Sequence, residues 1–289
     1  MLLGSIEAGG TKFVCAVGDE NFQIIDQIVI PTTTPAETLS KVVAYLQKFE
    51  IGALGVASFG PIEINPNSEK YGYITNTPKA NWKDTDVIGY LKKYFDIPMA
   101  WTTDVNGSAY GEYVMAVKAG GNLNSLVYYT VGTGVGGGAV INGEFLGGAG
   151  HPEMGHVFVK RHPKDVHFDG ICPFHGDCLE GLVAGPTFEA RLNQKGETVS
   201  LDHPTWDILA YYLAQAVMQT TLMIRPEKIV FGGSVVGDEL LNKIKTEFAS
   251  MMNDYVEIDD LDAYLRRPSI ENNGSATVGN FALALDLLK

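Results

Sequence analysis

Two histidines and two cysteines, His156, Cys172, His175 and Cys178, gather in one stretch of a chain that has only six histidines and three cysteines. The spacing Cys-x2-His-x2-Cys, with Pro173 and Gly176 to turn the chain between ligands, offers two thiolates and two imidazoles. That is a complete tetrahedral shell for zinc. Four protein ligands leave no open coordination position, so such an ion is structural rather than hydrolytic. His151, His162 and His167 are rivals for the fourth place and rank below His156, because for each of them a surface histidine is the simpler reading.

Glycine loops are the second source of chemistry. Glu7-Ala8-Gly9-Gly10-Thr11-Lys12 in the first half and Gly132-Thr133-Gly134-Val135-Gly136-Gly137-Gly138 in the second both follow an apolar strand and lead into another. Gly132, Gly134 and Gly137 fit G-x-G-x-x-G, but that fingerprint needs a helix opening at the third glycine, and here a strand and an Asn142-Gly143 turn follow. No G-x-x-x-x-G-K-[ST] occurs either. One such loop reads as a hairpin turn. Two matching loops, one per half, read as cradles whose bare backbone N–H groups, with the hydroxyls of Thr11 and Thr133, close on the phosphates of a nucleotide.

The third candidate is Asp104, in Trp101-Thr102-Thr103-Asp104-Val105-Asn106, where a strand ends and a helix begins. Open α/β sheets put reacting groups there. Taken alone, an Asp in this position is more often an N-cap, but it also suits a general base: phosphoryl transfer has a loose transition state, so a carboxylate at its ordinary pKa suffices to accept a hydroxyl proton.

Positioning these groups takes an α/β scaffold. The strand from Leu2, the strand Phe13 to Val17 and the strand Gln23 to Ile30 form an antiparallel meander. Thr34-Pro35-Ala36-Glu37 carries the N-cap Thr, N1 Pro and N3 Glu of a capping box, with Leu39, Val42, Val43 and Leu46 at helical spacing behind it. A buried strand Ala53 to Ala57, a helix near Asp84 to Phe95, a strand Pro98 to Thr102 and a helix from about Asn106 complete the unit. Ala119-Gly120-Gly121-Asn122 marks a boundary, after which Tyr128 to Ile141 repeats the opening pattern, and two similar lobes are expected. The division is 1–118, completed by a C-terminal helix at about 275–289, and 119–274.

Composition narrows the partners. The chain has 289 residues, enough for a substantial core, with 45% hydrophobic and 19% charged residues, which excludes disorder. A net charge of −13 repels phosphate backbones and anionic lipid, so nucleic acid and membrane are not expected as partners. Three cysteines make no disulfide framework, no basic-then-apolar leader opens at Met1, and Ile208 to Ile224 reads as a buried helix rather than a span. A cytoplasmic protein is expected.

Together, Glu7 to Lys12, the Gly132 to Gly138 loop and Ile229-Val230-Phe231-Gly232-Gly233-Ser234 resemble the ROK sugar kinases, over essentially the whole chain. The resemblance implies the actin-like ATPase (ribonuclease H-like) superfold, with two similar lobes and a cleft between them. It makes Gly9, Gly10, Thr11, Lys12, Gly132, Thr133 and Gly134 phosphate-binding, puts Gly232, Gly233 and Ser234 by the adenosine, and adds Pro186 and Val235 to the residues that bind ATP. Glu7 stands where the family usually has Asp and is implied to position magnesium through water. The Thr103 to Asn106 segment is similar to the family's Asn-Asp-x-Asn, with Asp104 as base and Thr103 replacing the first Asn at the sugar. Glu153-Met154-Gly155-His156 and Glu180 resemble the family's sugar-binding residues, His156 also ligating zinc. The spelling of the His/Cys loop resembles the bacterial fructokinase branch, which implies ATP with Mg2+, a hexose, a structural Zn2+ and a homodimer. The product implied is fructose 6-phosphate. Mannose or glucose as substrate is an alternative. So is a non-catalytic ROK sugar sensor, whose relatives carry a DNA-binding helix-turn-helix ahead of the first loop; the position of Glu7 and the charge of −13 argue against it.

Overall fold

The computed structural model describes residues 1–271 and 274–289. They form two compact units, one comprising Met1–Asn122, Gly143–His151 and Ile270–Lys289, the other Leu123–Asn142 and Pro152–Ser269. The sequence division at 118/119 and 274/275 differs in detail: the segment Gly143–His151, assigned by sequence to the second lobe, packs with the first unit.

The first unit begins with β1 (Leu2–Ala8), β2 (Lys12–Gly18), β3 (Ile24–Pro31), α1 (Pro35–Leu46) and β4 (Ile51–Ser58). It continues through β5 (Tyr73–Ile74), β6 (Thr85–Asp86), α2 (Val87–Leu91), β7 (Met99–Thr103) and α3 (Asp104–Lys118). Its sheet runs β3-β2-β1-β4-β7. The first three strands are antiparallel neighbours, while β1, β4 and β7 are parallel. α1 starts where the capping box predicts, with Pro35 at the first turn and Thr34 Oγ1 accepting from the Glu37 N–H. α2 is shorter than the helix expected over Asp84 to Phe95. Asp86 caps it, accepting from the Gly89 N–H at 2.7 Å, and it ends at Leu91.

Ile6, Phe13, Val42, Leu46, Leu54, Trp82 and Trp101 are buried in one core layer of this unit. On the other face Leu3, Ala16 and Ala53 meet Phe281 and Ala284 of the C-terminal helix, α9 (Ser275–Asp286). That helix lies against α3 at a distance only glycine allows. A Cβ on Gly279 would sit 1.9 Å from the Gly107 carbonyl oxygen, and one on Gly111 2.0 Å from that of Ser275. Close backbone approach therefore fixes α3, and with it Asp104 at its first turn.

The second unit holds β8 (Ser125–Val131), β9 (Val135–Ile141), α4 (Leu179–Val183), α5 (Pro186–Leu192) and α6 (Thr205–Met223). β11 (Lys228–Gly232), α7 (Asp238–Met252), α8 (Leu261–Tyr264) and β12 (Leu265–Arg266) follow; the two-residue β10 (Glu144–Phe145) falls in the segment assigned to the first unit. β8 pairs antiparallel with β9 and parallel with β11, which pairs parallel with β12. This repeats the plan of the first unit, as the two glycine-loop patterns predict. The turn after β9 has positive φ at both Asn142 and Gly143, the type I′ geometry of an Asn-Gly hairpin. α6 contains the uncharged stretch, and among the described residues no helix is long and apolar enough to cross a membrane.

Candidate nucleotide, sugar and metal sites

In the first unit the candidates collect at the carboxyl ends of parallel strands. Ala8, Ser58 and Thr103 are in register across β1, β4 and β7, so the loop Gly9–Thr11 and Asp104 leave the sheet at the same edge. The loop is a tight connection: the Gly9 N–H donates to the Lys12 carbonyl at 3.0 Å. Thr32 clamps it from β3's end, its Oγ1 donating to the Gly9 carbonyl at 2.7 Å and its N–H to the Thr11 carbonyl at 2.9 Å.

Asp104 is not the N-cap. α3 opens at Asp104, two residues earlier than the sequence suggests, because Thr103 takes the cap, its Oγ1 accepting from the Asn106 N–H at 3.1 Å. The Asp104 carboxylate accepts from the Val105 N–H at 2.9 Å, a hydrogen bond that orients it. Thr103 is buried, its hydroxyl oxygen engaged by the helix. Thr103, predicted to face the sugar, thus has a capping duty in this fold.

Glu7, at the end of β1, feels Asp104. Burial, then the Asp104 charge, push its carboxyl from 4.5 up to about 7, against a smaller opposing pull from Lys12. Two neighbouring carboxylates gain from a cation, which fits the expectation that Glu7 positions magnesium through water. The shift has a sign that can be measured. Between pH 4.5 and 7 the folded chain keeps a proton that the unfolded chain has released, so stability falls as pH rises through this window. In ligand-free protein, Glu7→Gln should therefore raise the melting temperature over wild type at pH 8 and much less near pH 5, a difference of at most about 3 kcal/mol. A variant no more stable than wild type at pH 8 contradicts this environment.

In the second unit the glycine loop is shorter than its spelling. Gly136, Gly137 and Gly138 belong to β9 and pair with Thr130, Tyr129 and Tyr128, leaving Gly132–Gly134 as the connection. Gly137 serves packing: a Cβ there would lie 2.7 Å from the Met154 side chain. Three segments meet at the loop. The Gly185 N–H donates to the Gly132 carbonyl at 2.7 Å just before Pro186 starts α5, and the Val235 N–H donates to the Val131 carbonyl at 3.0 Å. Gly233 has φ +88° and no room for a side chain beside the Val131 carbonyl, so the Gly232–Val235 turn sits flush against the loop. Thus Gly132, Thr133, Gly134, Pro186, Gly232, Gly233, Ser234 and Val235 are brought together.

His156, Cys172, His175 and Cys178 also converge, their ligand atoms all within 4.8 Å of one another. Sγ of Cys172 is 3.8 Å from Nδ1 of both His156 and His175, and Sγ of Cys178 is 3.5 Å from Nδ1 of His156. A tetrahedral zinc with bonds of about 2.3 Å to sulfur and 2.0 Å to nitrogen puts S and N about 3.5 Å apart, so the donors fit the ion. A knuckle makes the spacing possible, with Cys172 and Gly176 exchanging two backbone hydrogen bonds at 3.1 and 2.9 Å. Burial pushes the Cys178 thiol up, and a cation reverses that preference by taking thiolates.

The rivals are elsewhere. His151 accepts from the Ile62 N–H in the first unit, the His162 Nδ1 accepts from the Lys164 N–H, and His167 is exposed. What sequence reasoning missed is the framework beneath the metal loop. Buried Asp165 pairs with Arg191 at 2.8 Å and accepts from the Tyr212 hydroxyl at 2.9 Å, while Arg161 bonds Asp177 at 2.8 Å. Isolated charges along the sequence carry no signal for such a network. The predicted sugar-binding residues occupy the flanks of this module: Glu153 is exposed ahead of the short turn Met154–His156, and Glu180 lies in the first turn of α4.

The model of the ROK family matches residues 3–287. A fructokinase of Streptococcus mutans is 55% identical over 288 residues, covering 98% of this chain and 97% of that one. A Lactococcus lactis fructokinase is 52% identical, again over 98% and 97% of the two chains. Among solved structures, a ROK family glucokinase from Streptomyces griseus, in complex with glucose and AMPPNP, superposes with a TM-score of 0.73 at 20% identity, covering 99% of this chain and all of that one.

Proposed function

The chain belongs to the ROK family, with the actin-like ATPase fold, and on that premise we propose that it is a sugar kinase transferring the terminal phosphoryl group of ATP to fructose, giving fructose 6-phosphate. The observation that carries the chemistry is Asp104: Thr103 caps the helix in its place, so the Asp104 carboxylate stands oriented at the carboxyl edge of the sheet, the edge from which the first glycine loop also leaves. That is what a base for a sugar hydroxyl requires. Fructose as substrate is supported by the identity to the two fructokinases and by the Cys-x2-His-x2-Cys loop.

In this reading Asp104 takes the hydroxyl proton as the bond to phosphorus forms. Amides of Gly10 and Thr11 and of Thr133 and Gly134 hold the phosphates, while those of Gly9 and Gly132 close their own loops, which the Thr32 and Gly185 contacts preorganise so that no reorganisation is needed during transfer. Glu153, His156 and Glu180 bind sugar hydroxyls, for which carboxylates that accept two hydrogen bonds are suited. Magnesium, near Glu7, would neutralise charge on the phosphoryl oxygens. Zinc on His156, Cys172, His175 and Cys178 would fix the sugar-facing imidazole. We further propose a cytoplasmic homodimer, to be checked by light scattering of the purified protein.

A panel of hexoses with ATP and Mg2+, followed by ADP release, tests the proposal. Fructose should be preferred over mannose and glucose in kcat/KM, and ADP release that is indifferent to every sugar would overturn it. The loop has its own test. A Cβ at Gly134 would lie 2.7 Å from the Glu180 carboxylate, so Gly134→Val must displace either the loop or that group. The KM for ATP should rise roughly tenfold or more, a loss of about 1.4 kcal/mol; an unchanged value means the loop is only a turn.

A further inference from the structure

The second glycine loop is held from two sides by the segments that flank the metal ligands. Oε2 of Glu180, two residues after Cys178, accepts from the Val135 N–H at 3.0 Å and would lie 2.7 Å from a Cβ at Gly134. From the other side Gly155, next to His156, presses on the following peptide group of the same residue, since a Cβ there would fall 1.8 Å from the Val135 carbonyl oxygen. Val135 is the buried first residue of β9, the point at which the loop ends. Its N–H and its carbonyl are thus fixed by two segments that each also carry a metal ligand. A carboxylate serving only a sugar has no need of a backbone amide in a phosphate loop.

We infer that Glu180 is a positioning residue for the nucleotide: through its hydrogen bond to the Val135 N–H it sets the conformation of Gly132–Gly134 before any sugar arrives. The inference rests on the kinase reading above and deepens it, because it assigns one carboxylate to two substrates. With the amide of Val135 tied to Glu180, the remaining loop amides are presented in one conformation, and the ordering cost is met by the protein rather than by the nucleotide. Sugar hydroxyls that engage the other carboxylate oxygen would stiffen the same contact, so the two substrates should favour one another's binding.

Calorimetry of a non-hydrolysable ATP analogue with Mg2+, in the absence of sugar, separates this role from sugar binding. Glu180→Gln keeps an acceptor at the right reach and should bind the analogue within about twofold of wild type. Glu180→Asp keeps the charge but is one methylene short of Val135, and should bind it roughly fivefold or more weakly, as should Glu180→Ala. Zinc content and melting curves of each variant identify any that misfolds, and the Gln and Asp pair suffices if Glu180→Ala does. Equal analogue affinity in wild type and Glu180→Asp overturns the inference, leaving Glu180 to the sugar. Tighter binding by Glu180→Gln with Glu180→Asp unchanged would also overturn it, since charge repulsion rather than geometry would then be at work. A wild-type chain that binds no analogue at all defeats the kinase reading itself, and is distinguishable from both.

Discussion

Asp104→Asn should bind sugar and ATP within a few-fold of wild type and lose turnover by roughly a thousandfold or more. A positioned general base contributes about 10²–10⁴ to rate, and a thousandfold is about 4 kcal/mol of barrier. The geometry makes this substitution clean. The hydrogen bond from the Val105 N–H goes to a carboxylate oxygen at 2.9 Å, and the amide oxygen of Asn can accept it in the same place. The helix does not depend on the change, because Thr103 provides the cap. α3 itself is held by the glycine contacts with α9. Loss of kcat with KM preserved therefore reads out proton transfer rather than folding. Turnover within tenfold of wild type would exclude Asp104 as the base, and the pH profile of a weakly active variant would show whether another group has replaced it.

Metal analysis of protein purified without chelator should find about one zinc per chain, and Cys178→Ala should retain none. Cys178 is fully buried, so its replacement removes a ligand that solvent cannot replace. Structural zinc contributes many kcal/mol to small folds. Here part of the module is held independently by Asp165, Arg191 and Tyr212, so the chain should stay folded while its melting temperature falls by roughly 10 °C, the scale of several kcal/mol in a protein of this size. Because thiolates must form for the ion to bind, extraction by chelator should become easier as pH falls. The KM for sugar should rise, since His156 loses its anchor. Zinc-free wild-type protein, with the four residues chemically intact, would remove the centre from the account.

Much of this was legible in the residues. The capping box at Thr34 to Glu37, the Asn142-Gly143 turn and the Cys-x2-His-x2-Cys knuckle are local: their geometry is written in adjacent residues, and the structure has them where the spacing puts them. The repeat of strand, glycine loop and strand was legible because both copies obey the same hairpin chemistry. Boundaries were harder. Asp104 could be read as a cap because nothing in Thr103-Asp104 says which of two good capping residues wins; in the fold it is Thr103, whose Oγ1 accepts from the Asn106 N–H. The run Gly132 to Gly138 looks like one loop, yet Gly136 to Gly138 pair within a strand, the missing side chain of Gly137 making room for Met154. Least legible were contacts between distant positions, such as Glu180 with Val135, Gly279 with Gly107, and Asp165 with Arg191. Each depends on tertiary proximity that no window of sequence contains.

The most direct measurement of the central claim is product analysis by phosphorus and carbon NMR after incubation of the purified chain with ATP, Mg2+ and fructose. The account predicts one equivalent of ADP for each fructose phosphorylated, with the phosphate on the 6-hydroxyl and no sugar phosphate formed by Asp104→Asn in the same time. ADP accumulating without a sugar phosphate, or phosphorylation of fructose undiminished in that variant, would contradict it.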